Sequence, residues 1–202
     1  MGATMPGPWD ERYLGEEYVY GTEPNDFLRS VAGQLPVGRV LCIGEGEGRN
    51  AAFLASLGHD VTALDASSVG LAKAARLARS RGLSVRTLHA DLADYRFEPG
   101  AWDAIVSIFC HTPRPLRRAV HAGVVTALRP GGVFVLEAYT PEQLARGTGG
   151  PPSAELMMRL ADLREELGGL SLRHGLELVR DVTEGRLHRG EASVVQVLAV
   201  RP

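Results

Sequence analysis

The chain has 202 residues, 45% hydrophobic and 23% charged, the balance of one globular domain long enough to bury a full core. A formal net charge of −2 argues against nucleic acid as the main partner, because neutralising phosphates takes a basic surface. There is no N-terminal apolar run for a signal peptide or membrane span, and the two cysteines, Cys42 and Cys110, lie outside any CxxC pair, so a cytoplasmic chain with reduced thiols and no structural zinc is expected.

The opening MGATMP begins like a myristoylation signal but has Pro6 where Ser or Thr is required. Residues 1–35 carry Trp9, Tyr13, Tyr18 and Tyr20, then a predicted helix from about Asn25 to Leu35. After the turn Pro36-Val37-Gly38 a strand–helix alternation begins with the buried strand RVLCI (39–43). Helical GRNAAFLASLG follows, with Gly58 as its C-cap, then the strand DVTALD (60–65). SVGLAKAARLARSRG is the next helix, capped by Ser67 or Ser68. SVRTLHAD (84–91) and AWDAIVSIF (101–109) are the third and fourth strands, and PLRRAVHAGVVTALRPGG is a helix stopped by Pro130 and the glycines. Arg76, Arg79, Arg81 and Arg114, Arg117, Arg118 read as solvated helix faces. VFVLEAY (133–139) is the fifth strand, and residues 140–153 form a Gly/Pro-rich loop. Near-continuous apolar strands alternating with helices predict a parallel sheet covered on both faces. The final LELVRDVTEGRLHRGEASVVQVLAVRP has two strand-like runs with only turn residues between them, an antiparallel hairpin.

Between the first strand and its helix lies Gly44-Glu45-Gly46-Glu47-Gly48. Glycines there let a ligand approach the backbone at a helix N-terminus. Two carboxylates would repel a pyrophosphate, so the loop suits a ligand with a cationic part and no phosphate, such as S-adenosylmethionine. Asp65 ends the second strand, where a carboxylate can accept both ribose hydroxyls, and Asp91 follows the third, within reach of an adenine amino group.

The order of elements and the segments WDERY…EYVYGTEPNDFL, GEGEGRN, SIFCH, LRPGGVFVLEAYTPEQL, TGGP, LREEL and EGRLHRGEASVVQVLA resemble a class I S-adenosylmethionine-dependent methyltransferase. More narrowly, they resemble the small bacterial methyltransferases related to the tellurite-resistance TehB group. The resemblance runs from about Trp9 to the C-terminus. It implies a Rossmann-like, seven-stranded, mostly parallel α/β sheet of order 3-2-1-4-5-7-6, with the last strand antiparallel and helices on both faces. Residues 1–202 would then be one domain, with 1–35 as cofactor lid and helix and 140–153 as a substrate-side loop. The implied cofactor is S-adenosyl-L-methionine, with S-adenosyl-L-homocysteine as product. The residues expected to hold it are Tyr20, Gly44, Glu45, Gly46, Gly48, Asn50, Asp65, Ala66, Ser67, Asp91, Leu92 and Phe109. One position departs from the pattern: Cys42 stands where the class has an acidic residue that helps hold the methionine part, and Glu45 or Glu47 could take that role.

Methyl transfer from a sulfonium mainly needs alignment and exclusion of water, and a base only when the nucleophile starts protonated. Cys110-His111 follows the fourth strand, and His188-Arg189 sits at the hairpin turn. The resemblance implicates the matching His-Arg pair in handling the acceptor, so His188, Arg189 and His111 are the catalytic candidates. His121 and His59 read as structural, and Glu137 has no partner evident in the sequence. Phe109 and Cys110 end the fourth strand where a metal-binding carboxylate would be expected, so no metal is expected. The expected partner is a small-molecule acceptor, a thiol or chalcogen oxyanion, with no nucleic acid and no membrane, and the chain a monomer or homodimer. A non-catalytic S-adenosylmethionine sensor and an N- or O-methyltransferase of a small metabolite are the alternatives.

Overall fold

The computed structural model describes residues 7–202; the myristoylation-like start and the first six residues of the expected lid lie outside them. Seven strands form one sheet: β1 (Arg39–Ile43), β2 (Asp60–Asp65), β3 (Arg86–His89), β4 (Trp102–Ile108), β5 (Leu128–Tyr139), β6 (Ser171–Thr183) and β7 (Arg189–Val200). The order is β3-β2-β1-β4-β5-β7-β6, the order implied by the resemblance. β1, β2, β3, β4 and β5 pair in parallel, while β7 runs antiparallel to both β5 and β6. Among the described residues six α-helices accompany them: α1 (Pro8–Tyr13), α2 (Asp26–Val31), α3 (Arg49–Ser56), α4 (Ser68–Ser80), α5 (Arg114–Ala127) and α6 (Leu160–Glu166). Among the described residues no helix is long and apolar enough to cross a membrane.

Side chains alternate across the sheet, so each central strand feeds two cores. Ile105, Phe134, Leu136, Val195 and Val197 face α5 and α6, packing with Val120, Val124 and Leu163. Val106, Val133, Val135, Val40 and Cys42 face the other way, onto Leu28 of α2, Leu54 of α3 and Leu71 of α4. The caps follow local chemistry. Ser67 Oγ accepts the Gly70 N–H at 2.9 Å, and Gly58 (φ +90°) leaves α3 in the left-handed conformation a glycine adopts without penalty.

Several boundaries differ from expectation. α5 stops at Ala127, ahead of Pro130, because Leu128 already pairs with Trp102. The ladder then resumes at Ala104↔Val133, leaving Pro130-Gly131 in a bulge. The seven-residue α6 was not predicted; it is too short to carry a helical period. β6 begins at Ser171, ahead of the apolar run at Leu176, because an edge strand exposed along most of its length needs no apolar pattern.

Candidate active site

In open α/β sheets ligands bind beyond the carboxyl ends of the strands, where the order reverses. Here that point lies between β1 and β4, and a cavity of about 590 Å³ opens there, in the range that encloses a drug-sized ligand. Its walls come from the N-terminal segment (Arg12, Tyr13, Tyr20), the glycine loop, the ends of β2, β4 and β5, residues 149–152 and the hairpin tip at Leu187 and His188.

Gly44, Gly46 and Gly48 all have positive φ (+61°, +60° and +91°). Each also gives way to a protein neighbour. A Cβ on Gly44 would lie 2.6 Å from Cys110 Sγ, one on Gly46 would lie 2.6 Å from Tyr13 Oη, and one on Gly48 would run into Ala74 of α4. Of the three, Gly44 lines the cavity. Gly46 and Gly48, expected to touch the cofactor, instead admit the lid tyrosine and α4.

The two loop carboxylates have distinct work. Glu45 Oε1 accepts the Ala51 N–H at 2.8 Å near the start of α3, and burial pushes its acid up to about 7. Glu47 is buried; its Oε1 pairs with Lys73 Nζ at 2.6 Å and its Oε2 accepts the Tyr20 N–H at 3.3 Å. Cys42 is fully buried inside β1 and does not line the cavity, whereas Glu45 and Glu47 both do.

Asp65 is held at the cavity wall by two backbone donors, Ser67 N–H on Oδ1 and Gly46 N–H on Oδ2, each at 2.8 Å. Each oxygen keeps a second lone pair for a ligand hydroxyl. Asp91 is exposed on the wall and accepts the Ala93 N–H at 2.8 Å, an Asx turn. Ala66, Leu92, Asn50, Tyr20 and Phe109 also line the cavity. Ser67, expected there, does not; it caps α4 and donates to Asp10 Oδ1 at 2.6 Å.

Phe109 is a non-glycine residue with positive φ (+53°). A bulky side chain there stores backbone strain of about 1–3 kcal/mol, a mark of a site that over-determines its geometry. Its ring stacks on Tyr139 (4.6 Å between centroids) and meets His188 edge-on at 4.7 Å.

The catalytic candidates divide. His111 Nε2 accepts the Tyr139 N–H at 3.3 Å, so its Nδ1–H donates to Leu156 O at 2.9 Å; burial lowers the ring to about 4, outweighing the Leu156 bond, which favours the charged form. His188 is 8% exposed and packs on Tyr20 at 4.5 Å. Burial, then the Arg49 cation, push it down to about 3. The ring therefore stands neutral near pH 7 and accepts a proton less readily than a free imidazole. Arg189 lies away from the wall. It is exposed, opens β7 opposite Thr183 and does not line the cavity. Burial raises the Cys110 thiol to about 12, so it offers no thiolate.

Sequence reasoning missed the network behind the wall. Arg49 lines the cavity and pairs with Glu184 through Nη2 at 2.6 Å. Arg180 bridges Glu184 (2.7 Å) and Glu137 (2.6 Å), and Glu137 also takes hydrogen bonds from Asn25 and Gln196. Glu137, partnerless in the sequence, is thus among the most connected carboxylates described. Arg49 stood in the GRN that follows the glycines, but its partner is on a distant hairpin. Arg117, expected on a solvated face, is buried and forks onto Glu166 together with His121. Burial works against that carboxylate's charge, but the hydrogen bonds of His121 and Arg117 hold it down at about 2.

Residues 40–132 match the family model of a methyltransferase domain. No curated protein matches the sequence. Among solved structures the chain is similar to one describing the conversion of a disulfide bond into a thioacetal group during echinomycin biosynthesis (23% identity, TM-score 0.76, 98% of this chain and 92% of that one). It is similar to TehB from Haemophilus influenzae (19%, TM-score 0.72, 96% of this chain and 66% of that one). It is also similar to the Burkholderia thailandensis 1,6-didemethyltoxoflavin-N1-methyltransferase with bound 1,6-didemethyltoxoflavin and S-adenosylhomocysteine (19%, TM-score 0.63, 87% and 78%). At these identities the structural likeness establishes the fold.

Proposed function

We infer that this chain, a class I S-adenosylmethionine-dependent methyltransferase resembling TehB, methylates a small soft nucleophile that arrives already ionised, a thiolate or a chalcogen oxyanion. The observation that carries this is the two-sided cavity at the switch point: carboxylates and glycine backbone on one side, rings and a neutral histidine on the other. S-adenosylmethionine supplies an activated methyl on a sulfonium. Asp65, with a free lone pair on each oxygen, would accept its ribose hydroxyls, and Asp91 its adenine amino group. Gly44, Asn50, Ala66, Leu92 and Phe109 would bound it, Glu45 would face its cationic part, and Tyr20 would cover it. The remaining wall, Phe109, Tyr139, His111 and His188, would align the acceptor and keep water out, which is worth up to about 7–11 kcal/mol.

Both histidines are weak bases, because burial lowers their folded values to about 3 and 4. A nucleophile ionised in solution needs none, which favours thiols (unperturbed pKa about 8.5) over alcohols. The sulfur chemistry of the echinomycin relative and the likeness to TehB support the same class of acceptor. Methyl-labelled cofactor offered with thiols, selenite, amines and phenols tests it. Transfer to a thiol or selenite is expected. Label on the amine alone would shift the reading to an N-methyltransferase, and cofactor binding with no transfer to any acceptor would make the chain a sensor.

A further inference from the structure

Three polar atoms on one side of the cavity have no hydrogen-bond partner. Arg49 is 7% exposed; with Nη2 committed to Glu184, its Nη1 is buried and unpaired. Tyr139 is 0% exposed, and its Oη is unpaired. His188 Nδ1 is the third. All three residues line the cavity, the Tyr139 and His188 rings lie 5.4 Å apart, and Arg49 acts electrostatically on His188. Buried polar atoms are nearly always paired, so three orphans together point to a missing partner.

The chemistry of the three atoms defines that partner. A guanidinium N–H can only donate, a phenol held protonated by burial donates, and a neutral imidazole can present an N–H. The nearby carboxylates are already engaged: Glu184 by Arg49, Arg180 and Asn25, and Glu137 by Arg180, Asn25 and Gln196. Two arginines offset two glutamates in this cluster, so donors without acceptors, rather than excess charge, set the preference. Small oxyanions fit three unpaired donors that share one cavity wall.

A cover lies directly above. Gly149 (φ +119°) and Gly150 (φ +100°) bring bare backbone onto the cluster: a Cβ on Gly149 would lie 2.5 Å from Leu187 O and 3.4 Å from Tyr139 Oη, and one on Gly150 would lie 3.0 Å from Tyr139 Cδ2. Only glycine lets the loop rest this low, against Tyr139 and His188.

We propose that Arg49 Nη1, Tyr139 Oη and His188 Nδ1 form a seat for a small oxyanion carried by the acceptor, closed by the 149–150 backbone. The identification of that anion with the acceptor rests on the methyltransferase reading; the seat itself does not. Two sources share the chemistry, an inorganic chalcogen oxyanion and the carboxylate of an organic thiol.

Calorimetric titration of selenite, and separately of thioglycolate, into protein saturated with S-adenosylhomocysteine tests the seat. Binding of at least one is expected, and which one names the source. Arg49→Lys keeps a cation for Glu184 but deletes the second nitrogen, and should weaken that binding about tenfold or more. Tyr139→Phe should weaken it about threefold to tenfold while leaving the melting temperature level or higher, since an unpaired hydroxyl holds nothing in the fold. S-adenosylhomocysteine affinity should not change in either variant. No binding of either anion to the loaded protein, or unchanged affinity in both variants, overturns the seat alone. Failure of S-adenosylhomocysteine to bind at all would instead remove the methyltransferase reading.

Discussion

Gly46 is a position where one atom couples the glycine loop to the lid. Its φ of +60° costs an alanine about 1–2 kcal/mol, and the added Cβ would meet Tyr13 Oη at 2.6 Å. Gly46→Ala should therefore lower stability and, by displacing Tyr13 from the cavity mouth, weaken S-adenosylhomocysteine binding. Adding Tyr13→Phe removes the clashing oxygen, so the double variant should regain cofactor affinity while keeping the backbone penalty. Titration calorimetry beside urea unfolding reads the two effects separately; a double variant that binds no better than the single one would break the link. This also explains why the site was only partly legible. Three glycines in a strand–helix turn announce close approach, and Asp65 and Asp91 at strand ends announce acceptors. The identity of the approaching group depends on pairs far apart in the chain, such as Gly46 with Tyr13, Gly48 with Ala74 and Arg49 with Glu184.

Between elements, Lys73 pins the lid. From the buried face of α4 its ammonium reaches Glu47 Oε1 (2.6 Å), Gly15 O (2.7 Å) and Glu17 O (2.6 Å), fastening the segment after α1 to the glycine loop. The hairpin tip joins the same cover. Arg186 N–H donates to Val19 O at 2.9 Å, and Gly185 lies against Tyr20 and Gly21. Apolar runs and turn residues were enough to predict the five parallel strands and the closing hairpin, because strand period and turn chemistry are local. That the hairpin tip and the N-terminal segment close together was not readable, since their bonds are between main chains. Lys73→Met should strand Glu47 and release the carbonyls of Tyr13, Gly15 and Glu17, costing about 3–5 kcal/mol as a broken buried pair does. Hydrogen exchange should quicken over residues 13–20 beyond the global change, and S-adenosylhomocysteine should dissociate faster. Making Glu47→Gln as well should return part of the stability. Exchange that rises evenly over the whole molecule would mean that the pair supports the core and not the lid.

Across the whole molecule, the buried titratable groups set how stability responds to pH. His188 and His111 are held neutral, with folded values of about 3 and 4 against about 6.5 unfolded. Below pH 6.5 the unfolded chain therefore takes up two protons that the folded chain refuses, and stability falls with pH. His59, also lowered by burial, adds in the same direction, and Asp65, raised by burial, works against it. Glu45 opposes them: its folded value is raised to about 7 from about 4.5, so between those values the folded state holds one proton more. Between about pH 4.5 and 6.5 the unfolded state thus binds about one net extra proton, and stability should rise with pH by about 1.4 kcal/mol per unit. Glu166 enters only in stronger acid: with a folded value of about 2, its contribution is complete above about pH 4.5 and is lost as pH falls toward 2. Replacing His188 by Phe deletes one of the two histidine protons and should flatten the dependence between pH 5 and 6.5. Denaturant unfolding of both proteins at half-unit steps measures the slope. If His188→Phe leaves it unchanged, His188 is not the buried neutral group at the acceptor wall, and the argument that the nucleophile must arrive already ionised loses its main support.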